Sequence, residues 1–557
     1  MLFKKQVKIG TKMLPKTTFS LNWGDNFASS KRRNYDIKLV VGSMLLGLAF
    51  SSASLADSTT PDKYFIPLKI VVNSPEDGDI KADDKVTLRE AIALVNNTLS
   101  TDKLTSLEQA QVQVLKPGSA PKIHFNLPSE SRIIYLEKLL PNLESPRLIV
   151  DGTTQPEYQP STNNLPAALV VSITSVKSAE VPRGLTLVAD GITIKGLSIY
   201  GFTGKYETTS PTPSADIFIS HRLPPPDTTE QTLPADYLPF YLSDLPPKDI
   251  VITDNWLGIK PDGTVPEERS AFGIYVFNSL GTQIERNLIS QHNGSGIITS
   301  VRAENLQITQ NKISHNGLAG MPDAIRLEGF IYNTKISENS ITNNDGSGIF
   351  IFKAEGSVEI SKNYLNDNGK RLKRAAIYLT GNEHKVFQNT ITNQSAAGVV
   401  VASYPRSRGN LIQNNRFANL GGLSIDLNTQ DNVGVRDWQQ GDGPNPERNS
   451  RNRRLDTGNA AINTPQFLAS EFYILNGKVN LDGVADPGSV IEVYRTQGDR
   501  NDYNPLFKLL KIVRTNELGK FSLTLDNLSP GEKISAVAID PQYGTSEPAA
   551  DVVVRSP

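Results

Sequence analysis

The chain has 557 residues, 38% of them hydrophobic, and its 57 Lys and Arg against 58 Asp and Glu leave a formal net charge of -1. So small a net charge provides no field that would attract nucleic acid or an anionic membrane surface. The sequence contains no cysteine, which excludes disulfide bonds, cysteine-ligated zinc and thiol chemistry.

Residues 1–56 are predicted to be a signal peptide. A basic cluster around Arg32 and Arg33 precedes an apolar run over residues 39–50, and small residues follow at 54–56. The run is only about 12 residues long, which is short for a membrane span and typical of a signal peptide. An uncleaved anchor is the alternative. We therefore expect a mature chain without a membrane span that is secreted, periplasmic or on the cell surface.

Residues 57–122 are predicted to form an N-terminal cap with one short amphipathic helix. Thr87 and Glu90 have the spacing of a capping box, and the apolar residues between 88 and 95 recur at helical intervals. Such a cap would cover the apolar cross-section and the unpaired strand edges that a solenoid exposes at its first coil.

The central region repeats a six-residue phrase in which an asparagine stands between two apolar residues. The phrase occurs as Ile252-Thr-Asp-Asn255-Trp-Leu257, Ile284-Glu-Arg-Asn287-Leu-Ile289, Ile308-Thr-Gln-Asn311-Lys-Ile313, Ile336-Ser-Glu-Asn339-Ser-Ile341, Ile360-Ser-Lys-Asn363-Tyr-Leu365, Val386-Phe-Gln-Asn389-Thr-Ile391 and Ile412-Gln-Asn-Asn415-Arg-Phe417. A period of about 25 residues is typical of a solenoid with one coil per repeat. Because parallel strands stack about 4.8 Å apart, the asparagines should form a bonded column and the isoleucines an apolar core column.

This pattern predicts an all-β chain built around a parallel solenoid over residues 123–428. A proline-rich excursion over residues 203–250 interrupts the solenoid and contains one strand at 216–220. Residues 429–464 are polar and are predicted to be a linker. Residues 465–557 alternate apolar and polar positions between turns, which predicts a small antiparallel β-sandwich.

The repeat resembles the right-handed parallel β-helix proteins of the pectin-lyase-like superfamily. Residues 86–92 are similar to the Leu-Arg-Glu-Ala motif of secreted bacterial β-helix proteins, and residues 483–494 resemble bacterial immunoglobulin-like modules of surface proteins. The resemblance implies a right-handed parallel β-helix with a capping helix, followed by an Ig-like β-sandwich. Members of the superfamily include polysaccharide lyases, hydrolases and epimerases, and proteins without an assigned activity, so the fold leaves the function open.

Each coil carries a second strand, and its period-2 alternation predicts which side chains point outward. One outward column is Tyr275, Ile298, Arg326, Phe350, Tyr378, Val400 and Asp426, and the next is Phe277, Ser300, Glu328, Phe352, Thr380, Ala402 and Asn428. Aromatic rings pack against sugar C–H faces, and Arg and Glu suit sugar hydroxyl groups. The predicted polysaccharide-binding residues are Tyr275, Phe277, Arg326, Glu328, Phe350, Phe352 and Tyr378. Burial of these rings by the excursion, by loops or by another subunit is the alternative.

Two further hypotheses remain open. A polysaccharide hydrolase would need two carboxyl groups about 5 to 9.5 Å apart, for which the candidates are Glu328 with either Asp323 or Asp345. A lyase would need a base, and Arg326 could act as one only if strongly desolvated. No dense aspartate cluster like that of calcium-dependent pectate lyases is present. A structural cell-envelope protein without a ligand is the third hypothesis.

No metal site is predicted, although calcium binding is possible. The acidic segments 77–84 and 426–442 contain enough carboxylates to bind calcium, but they lack EF-hand spacing and are better explained as solvated loops. His292 and His315 each stand just before an Asn-Gly turn. These two histidines are expected to stack on adjacent coils as surface turn residues.

Overall fold

The computed structural model describes residues 66–160, 169–203, 214–221, 245–352, 354–403, 407–429, 439–446 and 456–557. Three long sheets, named A, B and C, run through residues 68–427. Sheet A consists of Val112–Val114, Leu68–Val72, Lys122–Phe125, Ile149–Asp151, Thr193–Lys195, Val251–Thr253, Gln283–Glu285, Gln307–Thr309, Thr334–Ser337, Val358–Ser361, Lys385–Phe387 and Leu411–Gln413. Sheet B consists of Ile133–Leu136, Ser172–Ser175, Ser198–Ile199, Trp256–Leu257, Leu288–Ser290, Lys312–Ser314, Ser340–Thr342, Tyr364–Asn366, Thr390–Gln394 and Arg416–Leu420. Sheet C consists of Arg183–Leu187, Ala215–Ile219, Ile274–Leu280, Ile297–Glu304, Ile325–Leu327, Ile349–Ile351, Ile377–Leu379, Val399–Val401 and Ile425–Leu427.

Successive coils contribute one strand to each of the three sheets, so the chain winds as a parallel β-helix. Equivalent residues pair directly: Ile284 with Ile308 in sheet A, and Ile297 with Ile325 in sheet C. Their inward side chains are fully buried in one continuous hydrophobic core. The predicted apolar columns are therefore confirmed, and the strand expected within the excursion is present at Ala215–Ile219.

The seven repeated asparagines form the predicted ladder at the bend between sheets A and B. The Asn311 amide group donates to the side-chain oxygen of Asn339 at 3.0 Å and to the backbone oxygen of Ile284 at 2.8 Å. In the other direction, Asn311 Oδ1 accepts from both the backbone and the side chain of Asn287. Each rung thus satisfies buried backbone groups that the bend would otherwise leave unpaired.

A second ladder lies at another bend and was not predicted. His292 leads it, and its ring Nδ1 lies 2.8 Å from Asn316 Oδ1. Asn316 donates to Asn344, and Asn344 donates to Asn368. The prediction that His292 stacks on His315 is wrong, because His315 is exposed at a positive φ of 55° and the following asparagine occupies the rung.

The predicted helix is present at Leu88–Val95, and both hydrogen bonds of the capping box are formed. Arg89 is buried and makes two bonds to the Asp77 carboxylate, at 2.7 and 2.8 Å, and two more to backbone carbonyls at residues 138–139. The motif therefore fixes two loops against the helix. A second short helix spans Ser106–Gln109, and short 3₁₀ turns occur at Thr101–Lys103, Gly152–Thr154 and Gly458–Ala461. Assignment of residues 57–122 as a cap remains a prediction.

The C-terminal region forms a further sheet, named D, with mainly antiparallel pairing. Its strands are Gln466–Phe467, Glu471–Leu475, Lys478–Val484, Val490–Thr496, Leu506–Arg514, Lys520–Asp526, Lys533–Asp540, Gly544–Thr545 and Val552–Arg555. The alternating strands expected at 490–494 and 521–525 are present. The Ig-like assignment remains a prediction.

Sheet D is bonded directly to the last coil of the β-helix. Thr545 Oγ1 accepts from the Ile412 backbone at 2.8 Å, and Glu547 Oε1 accepts from the Leu427 backbone at 2.9 Å. The side chain of Tyr494 belongs to the same hydrophobic cluster as the interior of the β-helix. The final strands therefore do not end at a bare edge.

The described parts of residues 429–464, which were predicted to be a linker, are hydrogen-bonded to the β-helix. The backbone oxygen of Gln439 accepts from Ala375, and that of Gln440 accepts from Ala397. These bonds attach the 439–446 segment to the start of two sheet C strands. No helix among the described residues is long and apolar enough to cross a membrane, and the predicted signal peptide lies outside the described residues.

Candidate functional site

The predicted outward column is in register on sheet C. The paired positions run Phe218, Tyr275, Ile298, Arg326, Phe350, Tyr378, Val400 and Asp426. On either side of Arg326, Ile325 and Leu327 point into the core. Because side chains alternate along a strand, the column lies on the outer face. Its register and direction follow the sequence prediction.

Much of this column is covered rather than open to solvent. Phe350 and Tyr378 are only 2% and 1% exposed, so they do not offer the exposed stacking surfaces that the sequence suggested. They pack with Val400 and Ala402 in a small hydrophobic cluster separate from the core. At the opposite end Phe218 is fully buried. The prediction of one long aromatic strip accessible to ligand is therefore wrong at the end formed by Phe350 and Tyr378.

The 439–446 segment accounts for part of this cover at the C-terminal end. Besides its bonds to the sheet, the backbone N–H groups of Asp442 and Gly443 donate to the two carboxylate oxygens of Asp426, both at 3.1 Å. Asn445 donates from its backbone to Glu547 at 2.7 Å. Burial, with Asp442 and Asp426 nearby, raises the pKa of Tyr378. The segment thus occupies the stretch of sheet C around Tyr378.

The middle of the column remains partly accessible and is centred on an ion pair. Arg326 Nε donates to Glu328 Oε1 at 2.5 Å, and both side chains are half-buried. The guanidinium carbon lies 4.8 Å from the centre of the Phe350 ring and 4.4 Å from that of Phe352. Stacking on two rings and a bond to a carboxylate hold this arginine in one orientation.

Asp323 has a structural role in this arrangement. Its side chain is fully buried and accepts from Arg374 at 3.0 Å, from the Ser347 backbone at 2.9 Å and from Arg326 at 3.4 Å. A carboxylate engaged on both oxygens by two guanidinium groups cannot readily act as a general acid. Two carboxylates and two aromatic rings also occupy the Arg326 guanidinium, which disfavours the proposed role as a base.

The sequence-predicted residues Tyr275 and Phe277 border the ion pair on the N-terminal side. The Tyr275 hydroxyl lies 2.7 Å from Ser300 Oγ, and burial raises the pKa of Tyr275, with a further increase from the charge of Glu328. The Phe277 ring centre is 6.5 Å from that of Tyr275. Both aromatic side chains are half-buried, as is Phe352 on the other side of Arg326.

The outer face is widest at this position. The strands Ile274–Leu280 and Ile297–Glu304 are longer than their sheet C neighbours, and their pairing shifts between Val276 and Asn278. The extension brings a second ion pair onto sheet C, with Arg302 Nε 3.5 Å from Glu304 Oε1. The sequence analysis missed this pair, although its Arg-x-Glu spacing repeats that of Arg326 and Glu328.

One tyrosine, two phenylalanines, a serine, an arginine and a glutamate form one patch between two covered stretches. We name it the central patch; it comprises Tyr275, Phe277, Ser300, Arg326, Glu328 and Phe352. It offers ring faces for stacking, hydroxyl groups that can donate and accept, and a carboxylate. Such a combination suits a ligand with both C–H faces and hydroxyl groups.

The acidic segments considered for calcium have protein partners in this structure. Asp77 binds Arg89, and Asp79 pairs with Lys138. Asp426 receives the two backbone N–H groups of the 439–446 segment. Within the described ranges, no three His, Asp or Glu side chains are grouped as metal ligands.

A buried histidine and aspartate meet at the bend that leads into sheet C. His292 Nε2 lies 2.8 Å from Asp216 Oδ2, and Ser270 donates to the other oxygen of Asp216. Burial raises the pKa of Asp216, while its bond to His292 acts in the opposite direction. All three side chains are enclosed in the protein, so the group supports the ladder rather than facing a ligand. Asp216 and His292 are 76 residues apart in the sequence, so their contact could not be predicted from local spacing.

Comparison with known proteins agrees with the coil architecture. Residues 262–374 match the family model described as a right handed beta helix region, and the three parallel sheets continue this architecture on both sides of the match. The protein therefore contains a right-handed parallel β-helix. No curated protein sequence matches the chain significantly.

Several solved structures are similar at low identity. ORF18 of Geobacillus virus E2 is 10% identical, with 76% of this chain and 69% of that chain covered and a TM-score of 0.38. The Dettilon tailspike protein is 11% identical, with 78% and 88% covered and a TM-score of 0.36. The Streptococcus pneumoniae surface protein and adhesin PfbA is 14% identical, with 56% and 87% covered and a TM-score of 0.33. Similarities at this level carry no argument about the activity of this chain.

Proposed function

We propose that this protein binds polysaccharide at the central patch on the outer face of sheet C. One observation carries the proposal: half-buried aromatic rings flank an arginine and a glutamate whose positions are fixed by stacking and by a 2.5 Å bond. A rigid, flat patch that combines ring faces with hydrogen-bonding groups can hold a sugar without ordering its own side chains first.

The covered stretches set the length of the site. The central patch extends over four successive coils, from Tyr275 through Ile298 and Arg326 to the coil of Phe352. With coils spaced about 4.8 Å apart, that is roughly 14 Å between the outer coils. The proposed site therefore holds a short stretch of polymer and not a chain along the whole β-helix.

The proposal is tested by binding to a panel of immobilised polysaccharides, followed by titration calorimetry with oligosaccharides from the best polymer. Replacing both Phe277 and Phe352 by Ala should weaken binding at least about tenfold, which corresponds to about 1.4 kcal/mol. Tyr364→Ala is the matched control, because this tyrosine is 45% exposed on the outer face of sheet B. Equal binding by all three proteins would refute the site.

The candidate catalytic residues support polysaccharide cleavage less well than the central patch supports binding. Asp323 is fully buried between Arg326 and Arg374, and Arg326 is itself bonded to Asp323 and Glu328. We therefore place Arg326 and Glu328 in binding rather than in bond cleavage.

We also propose that the chain is exported. The support is the order of basic residues, apolar run and small residues before residue 57. Amino-terminal sequencing of protein recovered from outside the cytoplasm should begin at or near residue 57. Recovery of a cytoplasmic chain that still starts at Met1 would contradict export.

A further inference from the structure

We propose that the central patch selects neutral polysaccharides over acidic ones; this inference rests on the proposed function. It starts from the ionised side chains in and directly behind the patch. Arg326 and Arg374 carry two positive charges, and Asp323 and Glu328 carry two negative charges. Every one of these charges is already paired within the protein.

The pairing already engages the guanidinium group at the centre of the patch with carboxylates. Arg326 is bonded at Nε to Glu328 and at one terminal nitrogen to Asp323, and the face of its guanidinium lies over the rings of Phe350 and Phe352. A uronate would have to displace one of these carboxylates or approach beside Glu328. Either route brings two negative charges together in a partly desolvated place, which weakens binding.

Neutral sugar hydroxyl groups meet no such obstacle. The Glu328 side chain is 28% exposed and can accept a hydrogen bond from a hydroxyl group. The Tyr275 and Ser300 hydroxyl groups lie 2.7 Å apart, and each can donate or accept in turn. Arg302 is also matched to an acidic partner, Glu304, so the wider part of sheet C repeats the same balance. The arrangement favours recognition by hydroxyl groups and ring faces.

The test compares affinities for dextran, mannan and xyloglucan with those for alginate, hyaluronate and polygalacturonate. Fully methyl-esterified polygalacturonate is included because it retains the sugar backbone and loses the charge. We expect the tightest ligand to be neutral, the acidic polymers to bind at least tenfold more weakly, and neutral binding to change less than twofold between 50 and 500 mM NaCl.

The variant Glu328→Gln tests the role of charge more directly, because it leaves one positive charge uncompensated beside Asp323. The ratio of polygalacturonate affinity to its methyl ester's affinity should rise at least fivefold. Glu359→Gln, on the outer face of sheet A, is the control and should leave the ratio unchanged. An unchanged ratio in Glu328→Gln would overturn the inference.

The two proposals fail in different ways. Tightest binding to an acidic polymer that still depends on Phe277 and Phe352 would sustain the binding site and overturn its neutral selectivity. This holds whether or not that binding also requires Lys353, which lies outside the described residues. Absence of binding to every polymer would overturn both proposals.

Discussion

The asparagine ladder and the outer face of sheet C are built on the same register but use it differently. In the ladder, asparagine recurs on seven successive coils, and the side chains between the two end rungs bond to their equivalents above and below. On the outer face, equivalent positions change from Tyr275 to Ile298 to Arg326 to Phe350. Repetition inside the bend stabilises the coil, while the outer face can vary without disturbing it. Chemistry specific to this protein is therefore expected on the outer face.

The largest expected effect is in the ladder. Asn311→Ala removes bonds to the coils on both sides and leaves buried backbone groups of Ile284 and Thr309 without this partner. We expect a loss on the order of 4 kcal/mol in the free energy of unfolding. Denaturant unfolding measures it. Asn366→Ala, whose side chain accepts from Thr392 and Asn393 near the surface, should lose far less.

A smaller loss of stability is expected for Phe350→Ala. Comparing this variant with Phe352→Ala distinguishes an aromatic residue that stabilises the fold from one that binds ligand. Phe350→Ala should destabilise the protein by about 3 kcal/mol, since the ring is buried against Tyr378 and Arg326. Phe352→Ala should reduce glycan affinity with a smaller change in stability. Parallel unfolding and binding measurements check the pair. A reversed order would show that the covered end of the column, and not the central patch, carries the ligand.

The contact between sheet D and the last coil should depend on pH. Burial raises the pKa of Glu547 from 4.5 to about 8, so the folded state holds this proton more tightly than the unfolded chain. The stability that it contributes is fully present below pH 4.5 and is lost as pH rises through about 8.

Glu547→Gln should therefore match wild type at pH 5 and exceed its unfolding free energy at pH 9 by at least about 1.4 kcal/mol, the equivalent of one pKa unit. Urea unfolding at the two pH values measures the difference. The exposed Glu517→Gln serves as the control and should show no such divergence. A constant gap between Glu547→Gln and wild type at both pH values would contradict the coupling.

The smallest expected effect concerns His384, a buried histidine that is hydrogen-bonded to the coils before and after its own. Burial lowers the pKa of His384 from 6.5 to about 4, and its Nδ1 accepts from the Val358 backbone while its own backbone donates to Asn410. Its stabilising contribution is present above pH 6.5 and is lost as pH falls through about 4. His384→Asn should keep the bond accepted from the Val358 backbone and remove this part of the acid dependence, by at least about 1 kcal/mol. If wild type and His384→Asn lost thermal stability equally as the pH falls below 6.5, this prediction would be wrong.

The sequence predicted the features that depend on local period. The spacing of the asparagine phrase gave the coil, and alternation gave the outward direction of Arg326 and Glu328. It could not predict what covers Tyr378, because the 439–446 segment reads as a polar linker and its contacts come from backbone atoms. The burial of Asp323 was also hidden, since its partner Arg374 lies two coils further along the chain.

The main asparagine ladder also has a direction. Each rung, from Asn255 to Asn389, donates its backbone and side-chain N–H groups to the oxygen of the rung that follows. The final rung, Asn415, has no asparagine rung after it, and its neighbour Asn414 donates its backbone N–H to Glu492 of sheet D at 2.9 Å. The two tips of the β-helix are therefore not interchangeable: the last coil presents hydrogen-bond donors that require an oxygen-rich terminator. In a chain truncated after residue 428 these donors would be unpaired and could bond to the first coil of another molecule. We expect such a chain to assemble head to tail into filaments.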